Sequence, residues 1–142
     1  MPLKTNGTKQ MIPKSAKLRV ARPTDNLAQI TQMYVNGLGF ELLGEFKGHN
    51  GFNGSIIGHA KHNYHLEFTH HIGTKVGHAP SKDNLLVFYF SENEIWENCC
   101  AKIQAAGFKP VAAYNHYWDE LGKTFEDLDG YRVVLQNKEW PL

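Results

Sequence analysis

The chain has 142 residues, 42% hydrophobic and 20% charged, with a formal net charge of +1. That fits one soluble domain with one continuous core, and the near-neutral balance gives no general drive toward nucleic acid or an anionic membrane. No apolar run approaches the length of a membrane span, and Met1 to Pro13 is polar and has no signal-type apolar stretch, so no membrane partner is expected.

Residues 1–14 carry no apolar period and several lysines, which predicts a flexible tail before a single domain over 15–142. Lys17 to Arg22 reads as a strand. Pro23 and Thr24 end it, and Asp25 or Asn26 can cap a helix. Leu27, Ile30, Tyr34 and Leu38 fall at helical spacing, with Gly37 and Gly39 as the stop. Three strands are expected next, over Phe40–Phe46, Gly54–Ile57 and Asn63–Thr69. A polar crossing from His70 to Asn84 leads to an apolar strand, Leu85–Phe90. Ser91 and Glu94 have capping-box spacing. Ile95, Cys99 and Ile103 then line one helix face, and Trp96 on that helix is assigned to the core or a dimer interface. Gly107 stops the helix and Phe108 starts a strand. Lys123–Asp127 and Tyr131–Gln136 are the last two strands, joined by a turn over 127–130. The two cysteines, Cys99 and Cys100, are neighbours and cannot easily bridge, so reduced thiols and a cytoplasmic location are expected.

The order repeats. Leu18 to Gly39 spans 21 positions, as does Leu86 to Gly107, and each glycine is followed by phenylalanine, Phe40 and Phe108. Equal units of this kind suggest two duplicated modules packed side by side, over 15–72 and 84–138. A ferredoxin-like sandwich is the alternative, but it needs fewer strands after each helix.

On these residues the chain resembles the vicinal-oxygen-chelate superfamily of glyoxalases, bleomycin-resistance proteins and dioxygenases. Tyr34 followed by Gly37-Leu38-Gly39-Phe40-Glu41-Leu42 looks like that family's helix exit. Leu66-Glu67-Phe68-Thr69 resembles the last strand of its first module. Phe125-Glu126-Asp127-Leu128-Asp129-Gly130-Tyr131-Arg132-Val133 resembles its closing turn and strand, with Leu128 where proline is usual. Tyr117-Trp118 ahead of Glu126-Asp127 is similar to a bacterial branch of short glyoxalase-like proteins. The resemblance covers about 17–137. It implies an α+β fold of two βαβββ modules forming curved, incompletely closed sheets around a cavity, and a homodimer.

Metal-dependent members hold one divalent ion with four inward side chains, two per module, and use it as a Lewis acid. The positions that the resemblance assigns to these ligands are Arg19, Glu67, Leu85 (or Val87) and Val134. One carboxylate, one cation and two aliphatic side chains are not a donor set for a hard cation. The expectation is therefore no metal and no other cofactor. A displaced divalent-metal site among the six histidines from His59 to His78, with His65 and Glu67 on one face, is the alternative.

Strand alternation turns Leu66, Phe68, Val133 and Leu135 toward the helices. It turns Arg19, His65, Glu67, Tyr89, Arg132 and Gln136 toward the cavity. Arg19 and Glu67 are expected to meet there, either as a buried pair or as an anchor for an anionic ligand. Asn115, Tyr117 and Trp118 form a polar-aromatic loop, a core plug or a wall for the ligand. Cys99 and Cys100 have no histidine at catalytic spacing. Two functions stand beside each other. One is metal-free binding of a small polar or aromatic molecule. The other is a metal-dependent glyoxalase-like lyase or isomerase, or a ring-cleaving dioxygenase.

Overall fold

The computed structural model describes residues 11–141, so most of the expected tail lies outside the described residues. The elements run β1 (Leu18–Pro23), α1 (Leu27–Leu38), β2 (Glu41–His49), β3 (Phe52–Gly58), β4 (Tyr64–His71), β5 (Leu85–Tyr89), α2 (Asn93–Ala105), β6 (Lys109–Val111), α3 (Tyr117–Glu120), β7 (Gly122–Glu126) and β8 (Arg132–Gln136). They form two four-stranded sheets, ordered β1-β4-β3-β2 and β5-β8-β7-β6. In each sheet the first strand of its module runs parallel to the last. This is the expected pair of βαβββ modules, and α3 is the one helix that periodicity does not foretell.

Phe40 and Phe108 occupy matching places, each buried just after its helix. The glycines before them hold positive φ, 72° at Gly39 and 104° at Gly107, where a side chain would be strained. The start of α1 falls at the expected Asn26, whereas the start of α2 differs from the sequence expectation. Asn26 caps α1 without a side-chain bond. Its amide instead donates to Asp129 Oδ1 at 2.9 Å, and Asp25 accepts from Val76 N and Gly77 N at 2.8 Å each. The capping box before α2 does not form either. Glu92 takes the cap position and makes no side-chain cap bond, which leaves Ser91 one residue outside the helix. Ile95 is exposed, and α2 turns Cys100 and Ile103 inward. Trp96 packs against the core and donates from Nε1 to Leu135 O at 2.8 Å.

The helix sides of both sheets converge on one core. Ile30, Tyr34, Ile57, Leu66 and Phe68 of the first module meet Ile103, Phe108, Phe125, Val133 and Leu135 of the second. Tyr34 sits at the join, with its ring 4.9 Å from Phe68 and 5.1 Å from Phe108. Its hydroxyl donates to Asp127 Oδ2 at 2.6 Å and accepts from Arg22 Nη1 at 3.3 Å. Asp127 Oδ1 takes the backbone N–H groups of Asp129 and Tyr131. Burial pushes the Asp127 carboxyl above the ordinary carboxylate range, although these donors and Arg22 oppose it. Burial and the Asp127 charge push the Tyr34 phenol well up, so it stays a donor. Arg22 also lies over the Tyr131 ring, 3.9 Å from its centre.

Candidate functional site

Opposed residues on neighbouring strands share a face. In the first sheet Arg19 pairs with His65, Glu67 with Ile56, and Thr69 with Gly54. Gly54 also opposes Phe46. Together these side chains make the helix-free face. Arg19 Nη1 donates to Glu67 Oε1 at 3.1 Å, so the expected pair forms. It is not buried, because the two side chains are 45% and 19% exposed. The Phe46 ring lies over the backbone of Gly54, where any Cβ would collide with it. The face therefore offers a cation, a carboxylate, the half-buried imidazole of His65 and an aromatic floor.

Phe46 escaped the sequence analysis for a definable reason. Alternation counted from Leu42 puts Phe46 on the helix side. A register shift between Leu42 and Gly44 inserts one residue and turns Gly44 and Phe46 to the opposite face. Gly54, small in the middle of a strand, was the available signal that something packs on its backbone.

The other six candidates lie on the second sheet. Leu85 pairs with Arg132, Val87 with Val134, and Tyr89 with Gln136. Arg132 is buried and already occupied, with Nε 3.0 Å from Glu126 Oε2 and Nη1 donating to Ala112 O at 3.2 Å. Gln136 is 1% exposed and its Oε1 has no partner among the described residues. It lines a recess of about 130 Å³ with Tyr117, Glu120, Leu121 and Lys138. Asn115 Oδ1 accepts from Tyr117 N at 3.1 Å and so starts α3. Trp118 is half-buried, with its ring edge-on to Tyr117 at 5.0 Å. Asp119, held below the ordinary carboxylate range by His116 and by Ala113 N–H, fixes the loop from its other side. Tyr89 stands at the rim, 5.6 Å from the Trp140 ring.

The nine residues therefore fall into two groups. Arg19, His65 and Glu67 sit on one sheet, and Tyr89, Asn115, Tyr117, Trp118, Arg132 and Gln136 sit on or over the other. Within one chain the groups do not converge. The helix sides of the two sheets meet in the shared core, and among the described residues no hydrogen bond joins the two groups. Each sheet contributes separately, an open face on the first and a small recess beside Gln136 on the second.

The four positions that the fold family uses for a metal can be tested on this geometry. In the first module Glu67 pairs with Ala21, two residues past Arg19, and in the second Val134 pairs with Val87, two residues past Leu85, so the third position is Leu85 or Val87 and is aliphatic either way. The first module supplies Arg19 already paired with Glu67. Two aliphatic side chains and an internal ion pair do not fit a divalent cation. Among the described residues no three His, Cys, Asp or Glu side chains come together elsewhere as a metal-holding group.

Comparison with known proteins agrees with this architecture. Residues 18–69 match the YycE-like N-terminal domain and residues 83–137 the YycE-like C-terminal domain. YycE of Bacillus subtilis is 38% identical over 126 residues, covering 89% of this chain and 91% of that protein. Its crystal structure, of a protein of unknown function, superposes with a TM-score of 0.82 over 90% of this chain and 93% of that one. The fold extends to Leishmania major glyoxalase I, with a TM-score of 0.66 at 14% identity over 85% of each chain. It extends also to TnmS3, an antibiotic binding protein from Streptomyces sp. CB03234, with a TM-score of 0.62 at 19% identity over 91% of this chain and all (100%) of that one. The duplicated modules, the matching helix exits and this relative agree: the chain belongs to the YycE-like family of the vicinal-oxygen-chelate superfamily.

Proposed function

We propose that this protein binds a small polar or aromatic molecule on the helix-free face of its first sheet and does so without a metal ion. The observation that carries this is that the ligand positions hold aliphatic side chains, with Val87 paired to Val134, on the second sheet, and an Arg19 already engaged by Glu67 on the first. The face keeps its ligand-binding chemistry and lacks the donors for Lewis-acid chemistry. Arg19 and Glu67 together suit a ligand with both a donor and an acceptor, and Phe46 suits a flat ring. TnmS3, a protein of this fold, is described as an antibiotic binding protein, which supports small-molecule binding.

An open sheet face is shallower than most small-molecule sites, which bury most of their ligand. A second copy of the chain, bringing its own helix-free face or α3 loop over Arg19 and Glu67, completes the enclosure, and the working form is a homodimer. No helix among the described residues is long and apolar enough to cross a membrane. Cys99 and Cys100 are both free thiols, in keeping with a reducing, cytoplasmic setting.

Two measurements test this. Elemental analysis of the purified protein should find no stoichiometric Ni, Zn, Mn or Fe, and native mass spectrometry should find a dimer carrying retained small molecules that Arg19→Leu releases. One tightly bound metal equivalent per chain, lost in Glu67→Ala, would replace this function by the glyoxalase-like or dioxygenase alternative.

A further inference from the structure

We infer that the cleft between the two modules, on the helix side of the sheets, is a separate binding site for a small amphipathic carboxylate. The cleft is a cavity of about 240 Å³. Its walls are Phe40, Tyr64, Phe88 and Phe90, with Leu38 and Cys99. Phe40 and Phe88 are 6.2 Å apart, and Tyr64 and Phe88 are 6.4 Å apart, so one aromatic group spans the join. An apolar cavity near 150 Å³ holds benzene, so this one holds roughly ten non-hydrogen atoms. It shares no lining residue with the Arg19–Glu67 face and does not depend on that site.

Three polar groups stand at the walls. Lys102 has no ion-pair partner among the described residues. Its helical neighbours at three and four positions are Asn98, Cys99, Ala105 and Ala106, none of them acidic. The Tyr64 hydroxyl makes no hydrogen bond within the described residues, and burial pushes its phenol up, so it is available as a donor. His59 has Glu41 3.5 Å from its Nδ1. That pairing sets Glu41 against the imidazole, and Lys102, in the last turn of α2, is left without a carboxylate partner among the described residues. An apolar body against the aromatic walls, with one carboxylate on Lys102 and the Tyr64 hydroxyl, satisfies all of these groups.

The probe is octanoate, of about ten non-hydrogen atoms, set against octanol of the same length. Calorimetric titration of the full chain should show one saturable octanoate site. Cys99 is half-buried in the cleft wall and Cys100 is buried. An aromatic disulfide reagent should therefore label Cys99 first, and octanoate should slow that labelling. Lys102→Met should weaken octanoate at least about tenfold, the scale of one charge-assisted contact, while Lys102→Arg keeps it and octanol is indifferent to either change. Cys99→Phe, checked for an unchanged circular dichroism spectrum, should abolish binding by filling the cleft. Octanoate binding that is untouched by Lys102→Met, that survives Cys99→Phe, or that is lost on Arg19→Leu instead would overturn the assignment. So would failure of octanoate to saturate or to protect Cys99.

Discussion

Replacing Tyr34 by phenylalanine removes one oxygen atom from the join between the modules and leaves the aromatic packing in place. The lost group donates to Asp127 Oδ2 at 2.6 Å inside the core. Hydrogen bonds to a charged partner contribute about 1.5–3 kcal/mol. Asp127 keeps two backbone donors on Oδ1, but Oδ2 is left with only Arg22 Nη1, at 3.8 Å. A loss of about 2 kcal/mol is expected near neutral pH, which for a chain of 142 residues lowers Tm by roughly 6 °C. The loss should depend on pH. Burial holds the folded Asp127 carboxyl above its unfolded value of 3.8, so the native state retains this proton after the unfolded chain has lost it. Stability contributed by that retained proton is present below 3.8 and fades as pH rises through the folded value. Tyr34→Phe removes a group that favours the charged form and raises the folded value further. Its cost should therefore fall toward about 1 kcal/mol, that of a neutral hydrogen bond, once Asp127 is protonated. Urea unfolding of both proteins at about pH 7 and at about pH 3, below the unfolded value, measures this. A cost below about 0.5 kcal/mol at neutral pH, or one equal at both, would refute the charged Tyr34–Asp127 bond as the module clasp.

The other predictions follow from local geometry. Arg19→Leu should cost less than about 1 kcal/mol, because the Arg19–Glu67 pair is half-exposed and solvent-screened; a loss of 3 kcal/mol or more would mean the pair is buried. Gly37→Ala should lose about 1–2 kcal/mol despite the better helix propensity of alanine, since its Cβ would meet Phe108 Cε1 at 2.9 Å and Ala106 Cβ at 3.2 Å. Ser91→Ala should change the unfolding free energy by less than about 0.5 kcal/mol in a urea titration, because Ser91 does not cap α2. Asp25→Ala should expose the Val76 and Gly77 amides to hydrogen exchange. Acid should do the same: the backbone bonds hold Asp25 below its unfolded value of 3.8, so its contribution is complete above that pH and is lost as pH falls through the lower, folded value.

The fold was legible because duplication left two independent copies of one signal. The Gly39-Phe40 and Gly107-Phe108 pairs each combine a positive-φ stop with a core anchor, and both do so for the same steric reason. Alternation likewise placed Leu66, Phe68, Val133 and Leu135 correctly, since those strands run without interruption. The site was legible only in part. Arg19 and Glu67 meet because parallel pairing of β1 with β4 is set by the module itself. The bulge in β2 hid Phe46. Glu126 engages Arg132 as its cross-strand partner in β7–β8, while Ala112 O reaches Arg132 from a loop that has no periodic signature. The capping-box spacing failed because Ser91-x-x-Glu94 matches a start one residue earlier than the helix takes.

The single core bears on how this duplicated chain can be divided. Each βαβββ unit turns its helix side toward its sister, so a unit made alone would present Tyr34, Phe68 and Ile30, or Phe108, Phe125 and Val133, to water. Neither half is a self-sufficient domain in the sense that a tandem repeat of independent domains would be. The stretch between Thr74 and Asn84 is mostly exposed and joins the two units. Cutting the gene there should yield two fragments that are insoluble when expressed singly and reassemble when expressed together. Such reassembly would make the two repeated modules a fragment-complementation pair within one chain.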